Sequence, residues 1–405
     1  MTASPADRRA CAWRRHDAEW RSPAQIAGFW EAASRVDPLL LRSRVVGPWW
    51  ELLAALGITL LVSREYEHLV IAMSVHEGRP LVSYLRLPHP SGLVCDRDRE
   101  TVTIASTRNP NQLVTLRPVD EVRPADGKGR GAPWVRRLIP VRAVFLPGRL
   151  YLHDLALIGG KLHANAVGQN AVVRLADDGG FARVWWPRCI ETPDGPVFDR
   201  NHLQLNSIAA GGTVGSSFFT ASTDRPSRLR PGHRRFPVDG RGVVFSGRSR
   251  EPICRGLTRP HSARLHRGRI WVANSGYGQL GVVSGGRFEA TTALPGWTRG
   301  VCIVERGRAI AFVGTSRVLP RFRQYAPGLD VERSVCAVHA VDLASGRTVA
   351  SLEWPEGNQT FALDWLPAGE SPGFPFEAGR RAPGERLRAL FYSFAPAAGR
   401  KERVP

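Results

Sequence analysis

His261-Ser-Ala-Arg-Leu-His-Arg-Gly-Arg-Ile-Trp-Val-Ala-Asn274 reads as a histidine, an apolar strand, a glycine turn and a second apolar strand. The same frame returns at His89-Pro-Ser-Gly-Leu-Val94, His153-Asp-Leu-Ala-Leu-Ile-Gly-Gly-Lys-Leu-His-Ala-Asn165 and His202-Leu-Gln-Leu-Asn-Ser-Ile-Ala209. Two further copies, from Thr298 and from Gln359, keep the frame without the histidine. The marks at 89, 153, 202, 261, 298 and 359 are 64, 49, 59, 37 and 61 residues apart. A recurring strand–turn–strand unit means a modular β architecture, and a four-stranded propeller blade needs about 40–50 residues. The expectation is an all-β chain folded as a six-bladed β-propeller with loop insertions.

Outward from these marks, short apolar runs separated by Gly, Pro, Asp and Asn turns fill the chain from Ile58 onward, at the spacing of an all-β fold. Helical signals are confined to the front. A weak periodicity lies around Ala24–Val36, and Pro48-Trp-Trp-Glu-Leu-Leu-Ala-Ala-Leu-Gly57 carries proline at its start and glycine at its end. The chain thus divides into a short N-terminal helical arm (1–46), a propeller (47–394) and an unstructured tail (395–405). Leu387–Phe394 is expected to pair with Ile58–Ser63 or His68–Ser74, closing the ring and removing an open sheet edge. Two polar insertions, Arg117–Trp134 and Thr223–Arg250, are candidates to cover one mouth of the disc.

The 405 residues carry 56 Lys+Arg against 36 Asp+Glu, a formal charge of +20. Such a surplus points to anionic partners. It is almost all arginine, without an aromatic-interleaved basic motif or a recognition helix, which argues against nucleic acid. The six cysteines form no Cys-x-x-Cys pair, so zinc-ribbon and disulfide-scaffold readings fail. Neither a signal peptide nor an apolar run long enough to span a bilayer is visible. The expected setting is cytoplasmic, away from membranes, with no oligomeric state specified.

In a propeller the first strand of each blade lines the central channel, so residues in one register approach one another around the axis. His153, His202 and His261 are read in that register with His89, and Asp154, Asn206, Ser262, Arg299 and Gln359 accompany them. Two chemistries suit the group. Three imidazoles can hold one divalent metal (Zn, Fe, Mn or Mg) and leave a position open for substrate. Without metal, one histidine serves as base and another as acid, with Arg299 stabilising negative charge. His153, His202, His261 and Arg299 are therefore the candidate catalytic residues, and the three histidines the candidate metal ligands. His89, Asp154, Asn206, Ser262 and Gln359 are candidate substrate contacts. Trp49-Trp50 and Trp185-Trp186 are read as core.

Several strings carry a family resemblance. They are Trp49-Trp-Glu-Leu-Leu-Ala-Ala-Leu-Gly57, Leu152-His-Asp-Leu-Ala156, Pro260-His-Ser262, Leu294-Pro-Gly-Trp-Thr-Arg-Gly300 and Phe312-Val-Gly-Thr-Ser-Arg317. Across residues 47–366 the chain resembles an uncharacterised bacterial conserved-hypothetical six-bladed propeller family, and it departs from that pattern at Arg117–Trp134 and at Leu203-Gln-Leu-Asn206. More distantly it is similar to streptogramin lyase and to gluconolactonase-like propellers, a resemblance that implies a divalent metal and substrate at the central mouth. The expected function is an enzyme acting on a small polar or anionic metabolite there. Its chemistry would be that of a lyase, cyclase, isomerase or hydrolase, with specialised metabolism as one setting. The rival is a non-catalytic scaffold whose basic loops grip an acidic protein or polymer.

Overall fold

The computed structural model describes residues 23–107, 111–120, 135–146 and 148–379, with Ser4, Asp7, Ala10, Cys11 and Arg14 besides. Six antiparallel sheets of four or five strands form the blades. Each of the first five is built on a meander of four consecutive strands, the innermost first: Pro90–Asp96, Leu152–Ile158, Leu205–Ala209, Pro260–His266 and Trp297–Arg306. Apolar side chains between neighbouring sheets make the core, so most of these strands are buried on both faces and read as continuous apolar runs. Trp49, Trp354, Phe219, Phe245, Phe312 and Phe374 are its largest fully buried apolar side chains.

The sixth blade is assembled from both ends of the ring. Ala362–Pro367 is its innermost strand and pairs with Ile58–Arg64, followed outward by Leu69–His76 and Arg79–Arg86. Leu61 lies opposite Asp364 in this pairing. Both edges of Ile58–Arg64 and of Leu69–His76 are therefore occupied. The closing strand is not Leu387–Phe394, as the sequence suggested; that segment lies outside the described residues, as does 395–405. The repeat mark at Gln359 places Ala362–Pro367 in the frame, but with no histidine before it and Asp364 inside it, nothing in the sequence marks it as the strand that closes the ring.

Helices occupy the front of the chain, at Pro23–Ser34 and Trp49–Leu56. The second buries Trp49, Leu52, Leu53 and Leu56 against the fifth and sixth blades and ends at Gly57 in the left-handed region, φ 59°. A side chain is strained there, and a Cβ would stand 3.1 Å from the Arg306 guanidinium. Gly57→Ala is expected to lower stability by about 1 kcal/mol, read as a shift in the urea midpoint. Just before the helix, Arg44–Val46 adds a fifth strand to the outer edge of the fifth blade. No helix among the described residues is long and apolar enough to cross a membrane.

Two backbone features aim side chains at one mouth. The residue before each of the first four inner strands has a positive φ: His89 at 41°, Tyr151 at 52°, Gln204 at 53° and Arg259 at 53°. Non-glycine residues seldom adopt this conformation, and where they do it is held by surrounding structure. One or two residues into each strand the register shifts against the second strand. Such bulges re-aim side chains and are common beside sites.

Candidate functional site

A cavity of about 610 Å³ opens at this mouth. Two segments roof it. Residues 222–241, most of the arginine-rich insertion, form one; the short helical turn Pro320–Tyr325 forms the other. They are joined by the Tyr325 hydroxyl, which donates to Gly232 O at 2.9 Å, and by the packing of Phe236 and Val238 on Tyr325. The expectation that this insertion covers a mouth holds; residues 121–134 of the other lie outside the described residues.

His153 and His261 share one register, the second residue of their inner strands, with ring centroids 5.6 Å apart. His153 Nε2 lies 2.7 Å from a terminal nitrogen of Arg299, and its Nδ1 lies 2.9 Å from Asn206 O. Guanidinium can only donate and a carbonyl can only accept. The pair therefore assigns the tautomer: Nδ1 carries the hydrogen and Nε2 accepts from Arg299. Burial, with Arg299 second, holds the His153 imidazolium pKa well below its usual value. The Arg299 guanidinium also lies over the Phe361 ring, 3.4 Å from its centroid.

His261 is set up differently. Its Nδ1 lies 2.7 Å from Arg259 O and 3.0 Å from Ser275 Oγ, which again puts the hydrogen on Nδ1. Its Nε2 has no hydrogen-bond partner among the described residues, and the residue lines the cavity. Burial, then the Arg299 charge, depresses this imidazole too. The result is a neutral ring presenting a lone pair.

Beside it stands Arg259, which the sequence reading missed. It is 9% exposed, donates to Ser222 Oγ at 3.1 Å and to Pro231 O at 3.4 Å, and lies over the Tyr325 ring. No carboxylate among the described residues pairs with it, and its Nε is buried without a partner. Burial holds the guanidinium down to about 10, so it remains charged at neutral pH. The only available signal was its place before Pro260-His261, and a lone arginine is inconspicuous in so basic a chain.

The remaining candidates separate. Gln359 lines the cavity. His202 lines it as well, but from the loop before the third blade, where its backbone N–H donates to Asn170 Oδ1 at 2.9 Å. The register position expected for it is held by Asn206, whose amide donates to Pro260 O at 2.9 Å. Asp154 is paired with Arg264, at 3.0 Å, and accepts from Ile208 N. Ser262 accepts from Gly300 N at 2.7 Å. Asn206, Asp154 and Ser262 thus tie inner strands to one another around the axis. His89 packs between the rings of Phe29 and His68, with its Nδ1 3.8 Å from the Glu65 carboxylate. The four histidines therefore do not form one ring: two share the register, one enters from a loop and one lies beside a neighbouring blade.

The fit to a three-histidine metal set follows from these bonds. Both nitrogens of His153 are engaged, and no group of three His, Cys, Asp or Glu suited to a metal is gathered among the described residues. What the mouth does offer is positive charge. Among the described residues, seven arginines line the cavity (149, 200, 228, 230, 259, 299 and 317) against the carboxylates of Glu65 and Asp199 alone.

One family profile, described as a domain of unknown function, DUF4915, matches residues 47–374, from the approach to the Trp49 helix to beyond the inner strand of the closing blade. The chain belongs to the DUF4915 family. No curated protein matches this DUF4915 chain. Solved structures do. A chain of the nidogen–laminin complex is 10% identical, with 76% of this chain and 98% of that one covered and a TM-score of 0.50. A gluconolactonase from Xanthomonas campestris is 12% identical over 76% and 89%, with a TM-score of 0.44. A putative 6-phosphogluconolactonase from Bacteroides uniformis is 14% identical over 76% and 99%, with a TM-score of 0.41. At 10% identity the likeness to the nidogen–laminin chain speaks to architecture alone.

Proposed function

We propose that the DUF4915 propeller is an enzyme that binds a small anionic metabolite at its mouth and performs proton-transfer chemistry on it. Elimination, isomerisation or hydrolysis would all fit. The observation that carries this reading is a buried guanidinium, Arg259, and beside it an imidazole nitrogen, His261 Nε2, that have no carboxylate partner and no hydrogen-bond partner respectively among the described residues. A buried charge without a counter-charge is expensive to keep, so a site that retains one is suited to an incoming anion. In this reading Arg259 and Arg299 grip a carboxylate or phosphate, His261 Nε2 takes the proton, and His153 positions Arg299. Negative charge developing on substrate oxygen is stabilised by the same guanidinium groups. A bound anion also offsets the Arg299 charge that helps depress His261, so substrate raises the basicity of its own base. None of these steps requires a metal.

The test is anion titration by calorimetry together with thermal unfolding. Small carboxylates and inorganic phosphate should bind wild type, raise its Tm, and bind EDTA-treated protein with unchanged affinity. Arg259→Met should weaken binding about tenfold or more while its unliganded Tm stays at or above that of wild type, because a buried charge has been removed. Anions that bind the variant as tightly as wild type would defeat the reading. Capture of acidic polymers together with no small-anion binding would favour the scaffold alternative.

A further inference from the structure

Four of the seven arginines that line the cavity fall into two pairs, and the distinction bears on what the ligand looks like. Arg259 and Arg299 rise from the ends of inner strands, one just before the fourth and one within the fifth. Arg228 and Arg230 hang from the roof segment, are exposed, and make no ion pair or side-chain hydrogen bond among the described residues. The cavity wall is also aromatic, lined by Trp297, Phe322 and Phe361 with Tyr66 stacked on Phe322 at 6.3 Å. Of the two lining carboxylates, Asp199 is already engaged, 3.4 Å from Arg200.

Resting on the proposed function, which assigns one anion to the inner arginines, we infer that the substrate is a two-headed anion. One carboxylate or phosphate sits on Arg259 and Arg299, an apolar stretch lies along the aromatic wall, and a second acidic group meets Arg228 and Arg230 on the roof. A cavity of about 610 Å³ is within the range that encloses a metabolite of this size. Guanidinium is the side chain best shaped for both acids, through paired N–H donors. Joining two anions in one molecule makes the second contact intramolecular, which is where the gain in affinity arises. The roof arginines would also connect occupancy to the roof itself, since Arg259 already holds that segment through Pro231 O.

Calorimetric titration with straight-chain dicarboxylates from succinate to suberate, each against the monocarboxylate of equal length, tests this. At least one dicarboxylate should bind wild type about tenfold or more tightly than its monocarboxylate. The Arg228→Gln/Arg230→Gln double variant should lose that gain and keep the monocarboxylate affinity of wild type. The inference is overturned if every dicarboxylate stays within about threefold of its partner, or if the double variant retains the gain. Should neither series bind wild type, the reading of the inner pair fails and the second head falls with it. Monocarboxylate binding that Arg259→Met abolishes, without any dicarboxylate gain, leaves the inner pair standing and removes only the second head.

Discussion

Exchanging His261 for glutamine is expected to lower turnover by about 10²–10⁴-fold, the span general-base catalysis usually contributes, while leaving the fold intact. Glutamine is the informative choice. Its amide nitrogen can still donate to Arg259 O, the bond His261 Nδ1 now makes, so the strand entry keeps its anchor. What is lost is the basic lone pair at Nε2. Anion affinity should change little, because Arg259 and Arg299 remain. The readout is substrate conversion, or deuterium wash-in at the carbon beside the bound acid in D₂O, with circular dichroism as the control. His153→Gln offers a contrast, since that ring acts through Arg299 and its loss should raise KM as well as lower kcat. Turnover that persists in His261→Gln removes this residue from the mechanism.

Acid is expected to destabilise the protein in a window that ordinary carboxylates do not explain. His153, His261 and His339 are all buried and all depressed by burial, His339 from 6.5 to about 4. Above pH 6.5 each ring is neutral whether the chain is folded or not, and contributes no pH dependence. As pH falls through 6.5 the unfolded chain takes up protons that the folded chain refuses, so stability drops until the folded values are reached. At 1.36 kcal/mol per unit, His339 alone removes about 3 kcal/mol between pH 6.5 and 4, and the other two act in the same direction. The ion-paired carboxylates Glu100, Glu191 and Glu305 are depressed below 4.5 and lose their contribution only at lower pH. Urea midpoints measured from pH 7.5 to 4.5 should fall steeply below 6.5. A flat profile down to pH 5 would mean that these rings protonate in the folded state.

The architecture was legible because a blade is a local unit: a strand, a tight turn and a second strand lie within about 20 residues, and their period survives insertions. The site was only half legible. His153 and His261 sit two residues into their strands, and a direct alignment of the repeats pairs them correctly. His202 looked equivalent, but the third inner strand begins at Leu205, so Asn206 takes the register and His202 is left on the approach loop. His89 misled in the same way, being the left-handed residue before Pro90 rather than a member of the strand. Register within a strand depends on where pairing starts, and a side chain one residue off faces elsewhere. Arg259 went unseen for another reason. Its significance is that no carboxylate among the described residues pairs with it, a property of three-dimensional surroundings that no spacing records.

The join between the two ends of the ring has a consequence for how the chain reaches its native state. Ser63 and Ala362, hydrogen-bonded partners, are 299 positions apart. Until the last blade's inner strand has left the ribosome, Ile58–Arg64 has one unsatisfied flank of backbone donors and acceptors beside a strongly apolar surface. Late, long-range zippering of this kind is slow and exposes nascent chains to association with one another. Synthesis that stalls before residue 362 should therefore yield aggregates rather than a stable five-bladed fragment, and chaperone dependence during expression is the expected accompaniment.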